Sequence, residues 1–260
     1  MRTVLANLRQ AMLSLGFLFA TLGTALVVLL SSTEGFLSAF RSTTLLPYGY
    51  HTDFILSALS SNAMTLALPI LCALPYTATV LDDIKSGFIK AYLPRTTVKR
   101  YLAGKIAACA ISGALVMVIG ILLAWGLAAL LFLPLESAPT ILVDAAGKLI
   151  EVEKAASPLP GTIFWMCLSG SFWALVGMLF ATLTGSKYMA YASPFVIYYV
   201  LIILYERYFD KLYITYPKEW LNPSDKWMYG DWGVVILLFE LTAIAALATG
   251  FAVKRRLSEL

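Results

Sequence analysis

Histidine is nearly absent. The chain has 260 residues and one histidine, His51, so a histidine-based metal site or a Ser-His-Asp triad has almost nothing to build on. Cysteine is scarce as well. Cys72, Cys109 and Cys167 each fall inside an apolar run and share no metal-ligand spacing, so they read as small core hydrophobes rather than ligands or a disulfide framework. Charge is the third shortage. Asp, Glu, Lys and Arg make up 13% of the chain and hydrophobic residues 60%, against about 25% and ~45–50% in a soluble domain. Both departures point to a membrane protein. No metal and no nucleic-acid partner is expected.

Two kinds of motif are missing too. No G-x-x-x-x-G-K-[ST] occurs. Gly104-Lys105 and Gly147-Lys148 lack the upstream glycine and the following Ser or Thr, so the chain cannot bind ATP in the Walker manner. No H-E-x-x-H is present, and Ser169-Gly170 lacks the preceding glycine of a G-x-S-G pattern. An intramembrane enzyme therefore has little support. Internal repeats and low-complexity tracts are absent.

What the chain does have is apolar runs of membrane length. A helix needs roughly 20 apolar residues to cross a bilayer. Candidates lie at about 12–31, 55–78, 103–133, 162–184, 189–206 and 232–253. The expected fold is an all-α polytopic membrane protein: six transmembrane helices forming one domain over residues 1–260. The first run is longer than a typical secretory h-region, and no clean A-x-A site follows Leu30, so it reads as an uncleaved span. The third is long enough to tilt or to continue past the membrane.

Lys and Arg divide unevenly between the two sides of such a topology. The N-terminus, the 79–104 loop with Lys105, the turn at Lys187 and the C-terminus carry twelve; the opposite loops carry seven. Cytoplasmic loops hold the Lys/Arg excess, so both termini and the 79–104 loop are expected in the cytoplasm. Residues 1–12 put Val4, Leu5, Leu8 and Met12 on one helical face. They read either as an interfacial helix or as the first turns of span one. The outer loops are 134–161, which carries prolines and four acids, and 206–231, rich in Tyr and Trp. The second is expected to fold back against the outer leaflet as short helices, or to form an interfacial aromatic belt.

The densest charge lies in 80–105, VLDDIKSGFIKAYLPRTTVKRYLAGK. Leu81, Ile84, Phe88 and Tyr92 recur at helical spacing, while Asp82, Asp83, Lys85 and Lys90 occupy other faces. Pro94 marks the expected end of the helix. An amphipathic helix must bury its stripe against lipid, its own spans or a partner.

In layout the chain resembles an ABC-2 type permease, the membrane subunit of an ABC exporter. The motif likeness lies in residues 74–105. Asp83 and Gly87 fit its earlier part. Arg95, Tyr101, Leu102 and Lys105 fit the R-x-x-x-x-x-Y-L-x-x-K approach to span three. The resemblance implies a coupling helix between spans two and three that docks into a groove on an ATPase subunit. Leu81, Ile84 and Phe88 would seat in that groove; Asp82, Asp83, Lys85 and Lys90 would set the register; Gly87, Tyr92 and Arg95 complete the set. It implies two copies of a separate ATPase, which would bind ATP and Mg, and a second permease subunit, identical or homologous. This chain would itself bind no cofactor. The location implied is a bacterial plasma membrane.

Polar groups inside the spans are few. Glu240 is the single acid near the middle of one, where a charge costs about 2.5–3.5 kcal/mol or more, so a role in the pathway or at an interface is expected. Span two carries Asn62, Thr65 and Pro69, which suits a bent helix lining a pathway. The expected function is export of an amphipathic or hydrophobic substrate: a peptide, bacteriocin, drug or lipid. The alternatives are a secondary transporter using Glu240 or, with less support, an intramembrane enzyme.

Overall fold

The computed structural model describes residues 2–41, 46, 49–92, 97–132, 141–143, 149–151, 159–209, 212–221, 223, 227 and 229–258. Eleven helices appear among them. In chain order they are α1 (Arg2–Met12), α2 (Leu15–Leu30), α3 (Thr33–Arg41), α4 (Tyr50–Leu59), α5 (Asn62–Ala73), α6 (Thr79–Lys85), α7 (Phe88–Tyr92), α8 (Val98–Leu131), α9 (Leu159–Thr184), α10 (Lys187–Tyr208) and α11 (Asp231–Ser258). A small antiparallel ribbon, β1 (Ile141–Val143) with β2 (Leu149–Glu151), pairs Leu142 with Ile150 inside the 134–161 loop.

Among the described residues, four helices (α8 to α11) are long and apolar enough to cross a bilayer, or six if each of two bent pairs counts as one span. The first pair is α1 with α2, bent by 58°; the second is α4 with α5, bent by 71°. Both bends have a local cause. Ser14 caps α2 by accepting the Phe17 N–H, and Ser61 caps α5 by accepting the Met64 N–H. A serine cap satisfies a donor that the preceding helix would otherwise have bonded, so a new helix axis can begin there.

α1 thus has its own axis and is not a straight continuation of α2. Its Thr3 and Asn7 lie against Gly104 at the start of α8, and Ala11 is fully buried. Leu5 and Met12 are exposed, so the expected apolar face of this segment is divided between protein and surroundings.

Span two begins earlier than the sequence implies, at Tyr50, and breaks at Ser60-Ser61. The 12 residues of α5 rise only ~18 Å, short of the ~30 Å hydrocarbon core. α4 completes the element by lying across the ends of its neighbours. Tyr50 and Phe54 meet Phe132 edge to face, Trp125 of α8 donates to Thr52, and Ser31 at the end of α2 donates to the Ala58 carbonyl.

α9 is the central helix, packed against α5, α8, α10 and α11. Of its most apolar window 56% is buried, against 22% for α11. Lipid is as apolar as leucine, so helices in it associate by close fit rather than by hydrophobic drive. Gly113 and Gly170 supply that fit. A Cβ on Gly113 would lie 2.6 Å from the Gly170 carbonyl oxygen, and one on Gly170 would lie 2.8 Å from that of Gly113. The small residues of α2 serve the same purpose within the chain. Gly16 abuts the Leu74 carbonyl, and Ala20 is fully buried. Cys72 and Cys109 are buried, Cys167 is half-buried, and all three are free thiols.

The aromatic loop at 206–231 packs in part on the chain's own helices. After α10 ends at Tyr208, its one described helical piece is a 3-10 turn, Tyr213–Thr215, and Trp220, Leu221 and Trp227 are buried while Phe209, Ile214 and Tyr229 are exposed. Trp220, 3% exposed, stacks on Trp173 at 6.2 Å and meets Phe172 edge to face, while its Nε1 donates to the Ile214 carbonyl. An indole buried with its N–H satisfied anchors the segment that carries it.

Candidate functional site

One end of the bundle gathers α1, α6, α7, the start of α8, the turn between α9 and α10, and the end of α11. The charged segment folds here as two short helices rather than one. Ser86 closes α6, its N–H donating to the Asp82 carbonyl, and Gly87 turns the chain with φ +73°. Left-handed backbone costs a residue with a Cβ about 1–2 kcal/mol. Glycine avoids that cost, so the helix stops there rather than running on toward Pro94.

The break corrects the expected stripe. Leu81 is 1% exposed and packs into the chain's own core, so it is not available to seat in an external groove. Ile84 is half-buried and packs against the same core, and Ile89 is buried. Phe88 is 49% exposed, and Lys85, Ser86 and Lys90 are exposed around it. Arg95 and the side chain of Tyr92 lie outside the described residues.

Asp83 and Asp82 have different partners, and neither points outward unattended. Lys105 on α8 forms a salt bridge with Asp83 at 2.8 Å, and the Tyr101 hydroxyl donates to the same carboxylate oxygen at 2.8 Å. Lys105 is 4% exposed and Asp83 15%. An ammonium in hydrocarbon is costly; here a carboxylate and two ring faces replace its water. The Lys105 Nζ sits 5.0 Å from the centroid of Tyr76 and 5.9 Å from that of Tyr101. Tyr76 in turn donates to Gln10 Oε1 on α1 at 3.2 Å. Asp82, more exposed, forms an ion pair with Lys187 at the start of α10. Thr3, Asn7, Gln10, Asp83, Tyr101 and Lys105 are among the walls of a cavity of about 540 Å³ beside this cluster.

No family model, curated protein or solved structure matches the chain.

The other expected site residues do not join this cluster. Asn62 is exposed at the start of α5. Thr65 is buried, donates to the Asn62 carbonyl at 2.9 Å, and lines a cavity of about 240 Å³ with Ser60, Lys218 and Glu219. Pro69 is buried inside α5. Glu240 is exposed on α11 beside Phe239, which is 68% exposed. It therefore sits on the outer face of the bundle. Among the described residues no group of three His, Cys, Asp or Glu could hold a metal ion.

Lys187, Tyr76 and Gln10 were missed by reading the sequence alone. Lys105 carried a signal that could have found its partner. A lysine inside an apolar helix requires an anion or a cavity, and Asp83 is the nearer of the two acids in the preceding loop that the fold can turn inward.

Proposed function

We propose that the chain is the membrane permease subunit of an ATP-driven ABC exporter, coupled to a separate ATPase at the α6–α7 element. The observation that carries this reading is how that element is attached. Asp83 ties it to α8 through Lys105 and Tyr101, Asp82 ties it to α10 through Lys187, and Phe88, half exposed, stands at the edge of the adjoining cavity between the exposed Lys85 and Lys90 in sequence. A push on this element then reaches two long apolar helices at once. The docking surface is accordingly Phe88, Lys85, Ser86 and Lys90, with Asp82, Asp83 and Leu81 transmitting rather than touching.

On this reading both termini and α6–α7 face the cytoplasm of a bacterial cell, in keeping with the Lys/Arg excess at that end. Two ATPase copies, which hold ATP and Mg, serve a pair of permease subunits. The substrate is amphipathic or hydrophobic. The test is co-expression with a Walker-motif ATPase encoded beside the chain, followed by ATPase assay in lipid. Wild type should co-purify and stimulate hydrolysis. Phe88→Ala should weaken association roughly tenfold, the cost of a truncated aromatic anchor. If wild type associates with no ATPase, the proposal is wrong.

A further inference from the structure

α11 is the least buried of the four long helices, and α9 and α8 cover one side of it. The other side carries an acid. Where α11 crosses a bilayer, the exposed Trp232 and Lys254 stand at its two surfaces, 22 residues and a rise of ~33 Å apart, against a ~30 Å hydrocarbon core. Glu240 lies ~12 Å in from Trp232 and ~21 Å from Lys254, close to the midplane, and its side chain is exposed. Lipid tails offer it no hydrogen bond. Acids at that depth pair with one another, with a base or with a donor. Glu240 has no hydrogen bond or ion pair among the described residues. None of the described long helices carries a Lys or Arg at its middle.

The residues in line with Glu240 form a seam. Ile236, Glu240, Ala243, Leu247 and Gly250 succeed one another at steps of four and three. Those are the a and d positions of a two-helix coiled coil. Ile236 is 50% exposed and Leu247 76%, Ala243 is exposed, and Gly250 is half-buried. Ala243 and Gly250 are small enough to let a second backbone come close, which is how helices associate in lipid. Phe239 and Ile244, 68% and 61% exposed, flank the seam and would close over it.

We infer that this face of α11 packs against α11 of a second copy of the chain, parallel and in register, with Glu240 hydrogen-bonded to its counterpart through a shared proton. A twofold axis normal to the membrane sets the same residue at the same depth in both copies. The acid is then self-complementary, and no base from another protein is needed. One polar residue at a single a position is also the device that fixes register and a dimeric state. The pairing supplies an interface for the second subunit in the permease reading, but it rests on the placement of Glu240 and not on any ATPase.

The test is energy transfer between donor- and acceptor-labelled full-length chains in liposomes, titrated over protein-to-lipid ratio. Wild type should dimerise. Glu240→Leu should weaken the dimer about tenfold, the loss of an interhelical hydrogen bond in lipid. Glu240→Gln, whose amide both donates and accepts, should hold it near wild type. Ala243→Trp, which blocks close approach from an exposed site, should abolish it. Tyr199→Phe removes an exposed hydroxyl at comparable depth on α10 and should change nothing. Under oxidation Ala243→Cys should cross-link two chains, while Val200→Cys, exposed on α10, should not. A monomeric wild type, full retention in Glu240→Leu or Ala243→Trp, a loss in Glu240→Gln as large as in Glu240→Leu, a loss in Tyr199→Phe, or cross-linking at 200 in place of 243 would each overturn the inference. ATPase association by a chain that fails these tests would leave the permease reading standing, and a dimer that binds no ATPase would do the reverse.

Discussion

Lys105, on the second turn of α8, is buried against Asp83 of α6 at 2.8 Å, while Lys187, the first residue of α10, meets the neighbouring Asp82 with half its side chain in the open. Two adjacent acids on one short helix thus make one buried and one surface ion pair, and the two pairs should respond differently to substitution.

Removing one member of a buried pair leaves an uncompensated charge, at a cost of about 3–5 kcal/mol. Asp83→Ala and Lys105→Ala should each lose that much in reversible unfolding from lipid-detergent micelles. Asp83→Asn/Lys105→Met should recover most of it. Strictly additive losses would mean the two groups do not act as a pair.

Exposed pairs are screened and contribute little. Lys187→Ala should leave the unfolding curve unchanged. If the chain is the permease subunit proposed above, its effect should show instead in coupling, as reduced ATPase stimulation with the complex still assembled.

Gly87 separates two explanations for its own presence. Its φ is +73°, and nothing lies within 4 Å of where a Cβ would stand. The requirement is therefore conformational, not steric. Gly87→Asn, which tolerates the left-handed region, should keep amide protection in α6 near wild type, whereas Gly87→Val should lose it by hydrogen exchange.

Gly113 is the opposite case. Its Cβ would meet backbone, the Gly170 carbonyl oxygen at 2.6 Å, so even Gly113→Ala should push α8 from α9 and lower stability. Gly126, on the same helix with open space around it, should gain from the same change by about 0.5–1 kcal/mol. Thermal unfolding of the two variants side by side decides it.

Trp220 packs over Trp173 and Phe172. Trp220→Ala should cost about 3–5 kcal/mol as a large core truncation and open the segment just before it to protease at Lys218. Resistance equal to wild type would mean the loop is held elsewhere.

The helices could be read from the sequence because their signal is local. Runs such as 103–133 and 162–184 fix α8 and α9 within a few residues. The 80–105 segment was likewise visible as amphipathic. Its break was not, because one glycine in a helical pattern costs only about 1 kcal/mol, and only the fold requires φ to be positive there. The bend in span two was half legible: Ser60, Ser61, Asn62 and Pro69 mark a weak point, but a 71° turn depends on α2 and α8 presenting Ser31, Trp125 and Phe132 to receive α4. The inward side of the aromatic loop was illegible for a similar reason. Tyr and Trp have the same composition whether they line a membrane surface or cap a core, and Trp173 lies far away in sequence.

The short α5 bears on how the chain is made. A segment that cannot cross hydrocarbon unaided cannot be released into the bilayer unaided. Of the helices it packs against, α2 is synthesised before it and α8, α9 and α10 after it, so the ribosome delivers span two before most of the surfaces that complete it exist. Span two should therefore linger at the insertion machinery until α10, which ends at Tyr208, has emerged. On the proposed topology, a glycosylation reporter placed after Ala73 should become modified, on the wrong side of the membrane, in chains truncated before α8, and should stay unmodified in chains that extend through α10.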